Sequence, residues 1–141
     1  MQGAIDKGYE LKAQNANAYI PGQFTNPANP TIHRKTTAKE IWDDTDGQID
    51  YFISAIGTGG TISGIGQYLK EKKPDIQIIG VEPANSPFLT EGRSGPHKIQ
   101  GIGAGFKPEI LDLSVIDQIV TVSDDDAIEA ARLVGKTEGL L

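Results

Sequence analysis

The residues with the clearest chemical potential are Gly57-Thr58-Gly59-Gly60-Thr61. Glycines allow positive φ and let several backbone N–H groups converge on one anion, and threonine hydroxyls add donors. If the run opens a helix, the partial positive charge of the helix N-terminus adds to them, and the whole predicts a phosphate cradle. The rival reading is a tight turn that binds nothing. Two other phosphate motifs do not fit. No Gly-Lys-Ser/Thr is present for a nucleoside-triphosphate loop, and Ile62 stands where a dinucleotide fingerprint needs a third small residue. A second glycine-rich run, Gln100 to Phe106, follows a stretch from Glu82 to Lys98 that reads as a loop, and itself reads as a ligand loop or as a plain turn.

The elements around the first run suit a cradle. Ile49 to Ile56 is rich in β-branched and aromatic residues and predicts a buried strand ending in the glycines. Thr61 to Lys73 predicts a helix with Ile62, Ile65, Tyr68 and Leu69 on one side and Lys70, Lys72 and Lys73 as a solvated cationic cap at its end, closed by Pro74. Ile76 to Val81 predicts a second buried strand, completing a parallel strand-helix-strand unit. Gln118 to Val122 predicts a third strand, and Ser123 an N-cap before Asp124, Asp125 and Asp126.

Upstream, Met1 to Gln14 predicts a weakly amphipathic helix, and Ala18 to Phe24 a short strand broken by Pro21 and Gly22. Asn29 predicts an N-cap with Pro30 at the first position of a helix running to Asp44, where Trp42 serves as a core anchor. The fold class expected is therefore α/β, a parallel sheet with flanking helices.

Composition narrows the function. A net charge of −6 disfavours nucleic acid as a partner. Zero cysteines exclude disulfides and thiolate chemistry, and two distant histidines, His33 and His97, read as structural or exposed side chains and leave little for a metal site. No apolar run approaches the roughly 20 residues of a membrane span, so no membrane partner and a cytoplasmic setting are expected.

Taken in order, Gln23-Phe24-Thr25-Asn26-Pro27-Ala28-Asn29-Pro30, His33, Lys35-Thr36-Thr37, Glu40-Ile41-Trp42, Asp44-Thr45-Asp46-Gly47-Gln48, Gly57 to Thr61, Gly95 to Phe106 and Leu111-Asp112-Leu113 form a long pattern. It resembles the O-acetylserine sulfhydrylase (cysteine synthase) family. The resemblance implies a two-domain, fold-type II pyridoxal-phosphate enzyme, similar in fold to the tryptophan synthase β-subunit. Such an enzyme replaces the acetate of O-acetyl-L-serine with sulfide to give L-cysteine and works as a homodimer. By position it implies that Gly57, Thr58, Gly59, Gly60 and Thr61 hold the phosphate of pyridoxal 5′-phosphate. It also implies that Gln23 helps bind the substrate carboxylate and that Gly101 lies beside cofactor and substrate. From the residues alone, Gln23 is equally an ordinary surface amide.

The resemblance also implies absences. The family's Schiff-base lysine and its substrate-gripping Thr-Ser-Gly-Asn loop lie upstream of any segment present, and the serine that bonds the pyridine nitrogen lies downstream. Ten lysines remain, and none stands in the family's lysine context. The expectation is an internal fragment with no catalytic residue of its own. Residues 1–25 would close the small N-terminal domain, and residues 26–141 would form part of the large cofactor-binding domain. Two alternatives stay open: a non-catalytic phosphate- or pyridoxal-phosphate-binding module, and a sister activity such as cystathionine β-synthase.

Overall fold

The strand-helix-strand unit of residues 51–83 forms the centre of the molecule because its apolar residues recur at the spacings a parallel crossover needs. The computed structural model describes residues 2–140. Strand β1 (Tyr51–Ala55) leads into helix α4 (Gly60–Lys72), which returns to β2 (Gln77–Pro83), and β3 (Gln118–Val122) follows later. The order is β1-β2-β3, with both pairings parallel: Phe52 lies opposite Ile78, and Val81 opposite Val120. Ile62, Ile65 and Leu69 of α4 pack with Ile76, Ile78, Ile56, Ala38 and Leu111 into a single buried cluster.

Helices α2 (Ala28–Lys35) and α3 (Thr37–Asp44) lie against α4, so the helices gather on one face of the sheet. Gly64 lets α2 come close: a Cβ there would meet the Pro30 carbonyl oxygen at 2.1 Å. Helix α1 (Gln2–Gln14) precedes this body, a short helix α5 (Phe88–Glu91) and a 3-10 turn at Leu113–Val115 sit in the later connections, and α6 (Asp124–Glu138) follows β3. Ser123 Oγ accepts from Asp126 N at 3.1 Å and caps α6, as its position predicts.

Four expectations are corrected. No strand forms from Ala18 to Phe24: the chain is irregular up to Gly22, which has φ +64 and whose carbonyl oxygen takes the amides of both Thr25 and Asn26 in a turn. The helix predicted from Asn29 to Asp44 breaks at Thr36 (φ −118, ψ −76), and Asn29 is no N-cap because α2 already begins at Ala28. Strand β1 is buried on one face only. Phe52 packs on the core, whereas Tyr51 and Ile53 are 64% and 62% exposed on the opposite face. The stretch after Val81 is less loop-like than expected, since β2 runs to Pro83 and α5 adds a helical turn.

Asp117 locks β3 to β2. It accepts from Ile78 N at 2.7 Å through Oδ2 while its own amide donates to Ile78 O at 2.9 Å, and Lys70 Nζ lies 2.7 Å away. Lys70 also donates to Ile76 O, so it is not the freely solvated helix-end cation its sequence context suggests. The Ile78 amide and then Lys70 hold the Asp117 carboxyl below its ordinary value of 3.8. A carboxylate lowered on folding stabilises the folded state above its unfolded pKa, and that contribution is lost as pH falls through the folded value. Asp117→Asn is expected to cost about 1–2 kcal/mol at neutral pH and to flatten the acid limb of stability below roughly pH 4. Urea unfolding at several pH values measures both.

Candidate functional site

The Gly57–Thr61 run sits at the carboxyl end of β1 and becomes the first turn of α4. The first backbone bond of that helix is Ser63 N to Gly59 O at 3.0 Å. Among the described residues, the amides of Gly57, Thr58, Gly59, Thr61 and Ile62 meet no acceptor, and Gly60 N has only Thr58 Oγ1 at 3.4 Å. Gly59 turns the chain with φ +85, a conformation that side chains disfavour. Five free donors at a helix N-terminus are the arrangement that an anion satisfies.

The second glycine run closes over the first. Gly103 N donates to Ile56 O at 3.0 Å, and a Cβ on Gly57 would stand 2.5 Å from Gly101 O. Gly101, Gly103 and Gly105 all have positive φ, so this loop turns at alternate residues. With Ser86, Ser94 and His97 it lines a cavity of about 600 Å³. His97 is half-buried, its Nε2 3.4 Å from Gly103 O, and it lines the cavity, while Pro96 and Lys98 on either side of it are exposed.

Glu82 is a residue that sequence reasoning missed. It is 2% exposed at the end of β2, and its carboxylate accepts from Leu89 N at 2.9 Å and from Thr90 N and Oγ1 at 3.0 and 2.5 Å. Those donors tie α5 to the sheet beside Gly57. An acid ending an Ile-Ile-Gly-Val strand was the available signal, since a charge there must find donors.

Gln23 is exposed and its side chain makes no hydrogen bond among the described residues. It lines a separate cavity of about 550 Å³ with Tyr9, Phe24 and Phe106, so it does not share the glycine-loop cavity with Gly101. Its backbone is nonetheless close to the cradle. Asn29 Nδ2 donates to Gln23 O at 2.9 Å and to Thr58 Oγ1 at 3.1 Å. Phe24 and Phe106 meet edge to face at 5.0 Å, and Ile110 N donates to Phe24 O at 3.3 Å, joining the segment to the glycine loop. His33 Nε2 lies 3.3 Å from Thr61 Oγ1 and its Nδ1 3.1 Å from Thr37 Oγ1, so this histidine braces the far side of the cradle. The structure thus brings Gly57–Thr61 into contact with Gly101, and reaches Gln23 through Asn29.

A parallel sheet whose first strand ends in acceptor-free amides, roofed by a second glycine loop, defines an α/β protein of the anion-cradle class. Residues 1–141 match the profile of the pyridoxal-phosphate dependent enzymes, and the chain belongs to that family. It is 50% identical over 137 residues to cysteine synthase B of Campylobacter jejuni, covering 97% of this chain and 46% of that protein. It is 47% identical to cysteine synthase A of Escherichia coli K12, covering 100% and 46%. The crystal structure of cysteine synthase from Entamoeba histolytica superposes with a TM-score of 0.94 at 45% identity, covering 99% and 41%. That of a hydrogen sulfide-producing enzyme from Fusobacterium nucleatum also gives 0.94, at 44% identity, covering 99% and 47%. The chain spans about half the length of the curated relatives it matches.

The family's cofactor is pyridoxal 5′-phosphate. The donor set fits its phosphate: backbone amides without acceptors, two threonine hydroxyls and a helix N-terminus suit a dianion, with no acidic side chain in the first turn of α4 to repel it. Gly57→Ala is expected to push the Gly101 carbonyl away and loosen the roof over the cradle. Hydrogen exchange at residues 101–105 measures this, with faster exchange in the variant as the expected outcome.

Proposed function

We propose that Gly57, Thr58, Gly59, Gly60 and Thr61 hold the phosphate of pyridoxal 5′-phosphate. The assembled enzyme to which this chain contributes, in our reading, is a cysteine synthase, replacing the acetate of O-acetyl-L-serine with sulfide to give L-cysteine. The observation that carries the proposal is the row of acceptor-free amides from Gly57 to Ile62 in a chain 47–50% identical to cysteine synthases. The bound cofactor would supply an electron sink for chemistry at the amino-acid β-carbon. The residues of this chain bind and orient. The amides and the Thr58 and Thr61 hydroxyls anchor the phosphate, the loop around Gly101 walls the reacting side, and Gln23 steadies the substrate carboxylate.

The chain's lysines are not arranged for covalent attachment. Lys70 is paired with Asp117 and Lys73 with Asp50, and the other eight lysines are exposed, whereas a nucleophilic amine needs to be desolvated and unpaired. The role we assign to this chain is therefore cofactor and substrate positioning. Residues 1–25 would belong to a small domain and residues 26–141 to the cofactor domain. The homodimer rests on the family resemblance.

A sister reading, a β-replacing or eliminating enzyme that handles sulfur differently, is favoured by the equal structural likeness to the hydrogen sulfide-producing enzyme. The test is titration of the 141-residue chain with pyridoxal 5′-phosphate, with inorganic phosphate as competitor, followed by assays with O-acetyl-L-serine plus sulfide and with L-cysteine alone. The expected outcome is saturable binding displaced by phosphate, no absorbance of a lysine-bound cofactor and no turnover. Binding indifferent to phosphate contradicts the site, and turnover by the purified chain contradicts the assigned role. Sulfide release from L-cysteine identifies the sister activity.

A further inference from the structure

The amide of Asn29 hydrogen-bonds to both the Gln23 segment and the cradle. Its Nδ2 lies 2.9 Å from Gln23 O and 3.1 Å from Thr58 Oγ1. A backbone carbonyl only accepts, so the atom facing Gln23 O is the NH₂ nitrogen, and the same group must donate its other proton to the Thr58 hydroxyl. Gly60 N points at that hydroxyl oxygen as well, at 3.4 Å. With both lone pairs facing donors, the Thr58 hydroxyl has only its proton left to offer. Among the described residues no acceptor takes that proton.

The close approach is built into the backbone. A Cβ on Gly60 would stand 2.0 Å from Asn29 Oδ1, so only glycine at this position lets the Asn29 amide sit over the first turn of α4. Asn29 is half-buried in α2, the helix that packs most closely on α4, so its amide is held by a rigid pair of elements.

We propose that Asn29 is a positioning residue that fixes the Thr58 hydroxyl as an obligate donor, and so adds to the cradle's preference for a phosphate monoester over the same molecule without its phosphate. This rests on the reading of Gly57–Thr61 as a phosphate site. Replacing the donor by an acceptor reverses the device. In Asn29→Asp the hydroxyl proton turns toward the new carboxylate and away from the anion, and a negative charge is placed behind the cradle.

The experiment measures the affinities of pyridoxal 5′-phosphate and of unphosphorylated pyridoxal for the wild-type chain, Asn29→Asp, Asn29→Ala, Thr58→Val and the double variant Asn29→Ala/Thr58→Val, with thermal melts to confirm folding. Asn29→Asp is expected to lower the phosphate-dependent affinity ratio about tenfold or more, as befits a lost charge-assisted hydrogen bond, while pyridoxal affinity stays within about twofold. Asn29→Ala is expected to lower the ratio less, and not at all in the Thr58→Val background, because the two residues act through one hydroxyl. A wild-type ratio in Asn29→Asp, or independent losses in the double variant, overturns the role of Asn29 and leaves the phosphate site standing. Should Asn29→Asp fail to fold, the double variant decides alone. Equal affinity of the wild type for the two probes overturns the phosphate site and this inference together.

Discussion

Five backbone amides between Gly57 and Ile62 have no acceptor among the described residues, and the surrounding structure follows from how they are presented. Protein N–H groups out of water are almost always paired, and leaving one unpaired costs on the order of 1–3 kcal/mol. A folded chain keeps such a row open where an anion or water completes it. The glycines make the row possible: Gly59 supplies the positive φ that starts α4, Gly57 leaves room for Gly101 O, and Gly60 leaves room for Asn29. Each is constrained by a turn or a neighbouring atom, and none is a mere flexible link.

The rest of the fold holds the edges of this junction in place. Reciprocal bonds between Asp117 and Ile78 set the start of β3 against β2, and the carboxyl ends of the strands then present the glycine loops together. Glu82 gathers the Leu89 and Thr90 donors and keeps α5 beside the roof of the cradle. Asn29 and His33, both from α2, reach Thr58 and Thr61 from below. One helix therefore supports both hydroxyls of the cradle. The opposite face of the sheet, with Tyr51 and Ile53, is open in a parallel sheet of a kind whose faces are normally both covered.

Much of this was legible in the amino-acid order. Strand β3 has the predicted bounds because a short β-branched run is delimited by Asp117 and the Ser123 cap. The cradle was legible because glycines between an apolar strand and an amphipathic helix have few other uses. Contacts that depend on tertiary placement were not. Asn29 reads as an N-cap beside Pro30, yet α2 starts earlier and its amide is recruited by Thr58, 29 positions away. Glu82 reads as the start of a loop, since its donors lie seven and eight residues on in a turn that exists only after folding. The exposed side of β1 was hidden from sequence because Ile and Tyr look alike whether a helix covers them or not.

Amide chemical shifts read the central claim at its source. In ¹H–¹⁵N spectra of the chain titrated with inorganic phosphate, the account predicts saturable downfield shifts confined to Gly57 through Ile62, with the Gly101 loop responding less. Shifts scattered over the lysine-bearing surface, with the Gly57–Ile62 amides unmoved, would contradict it.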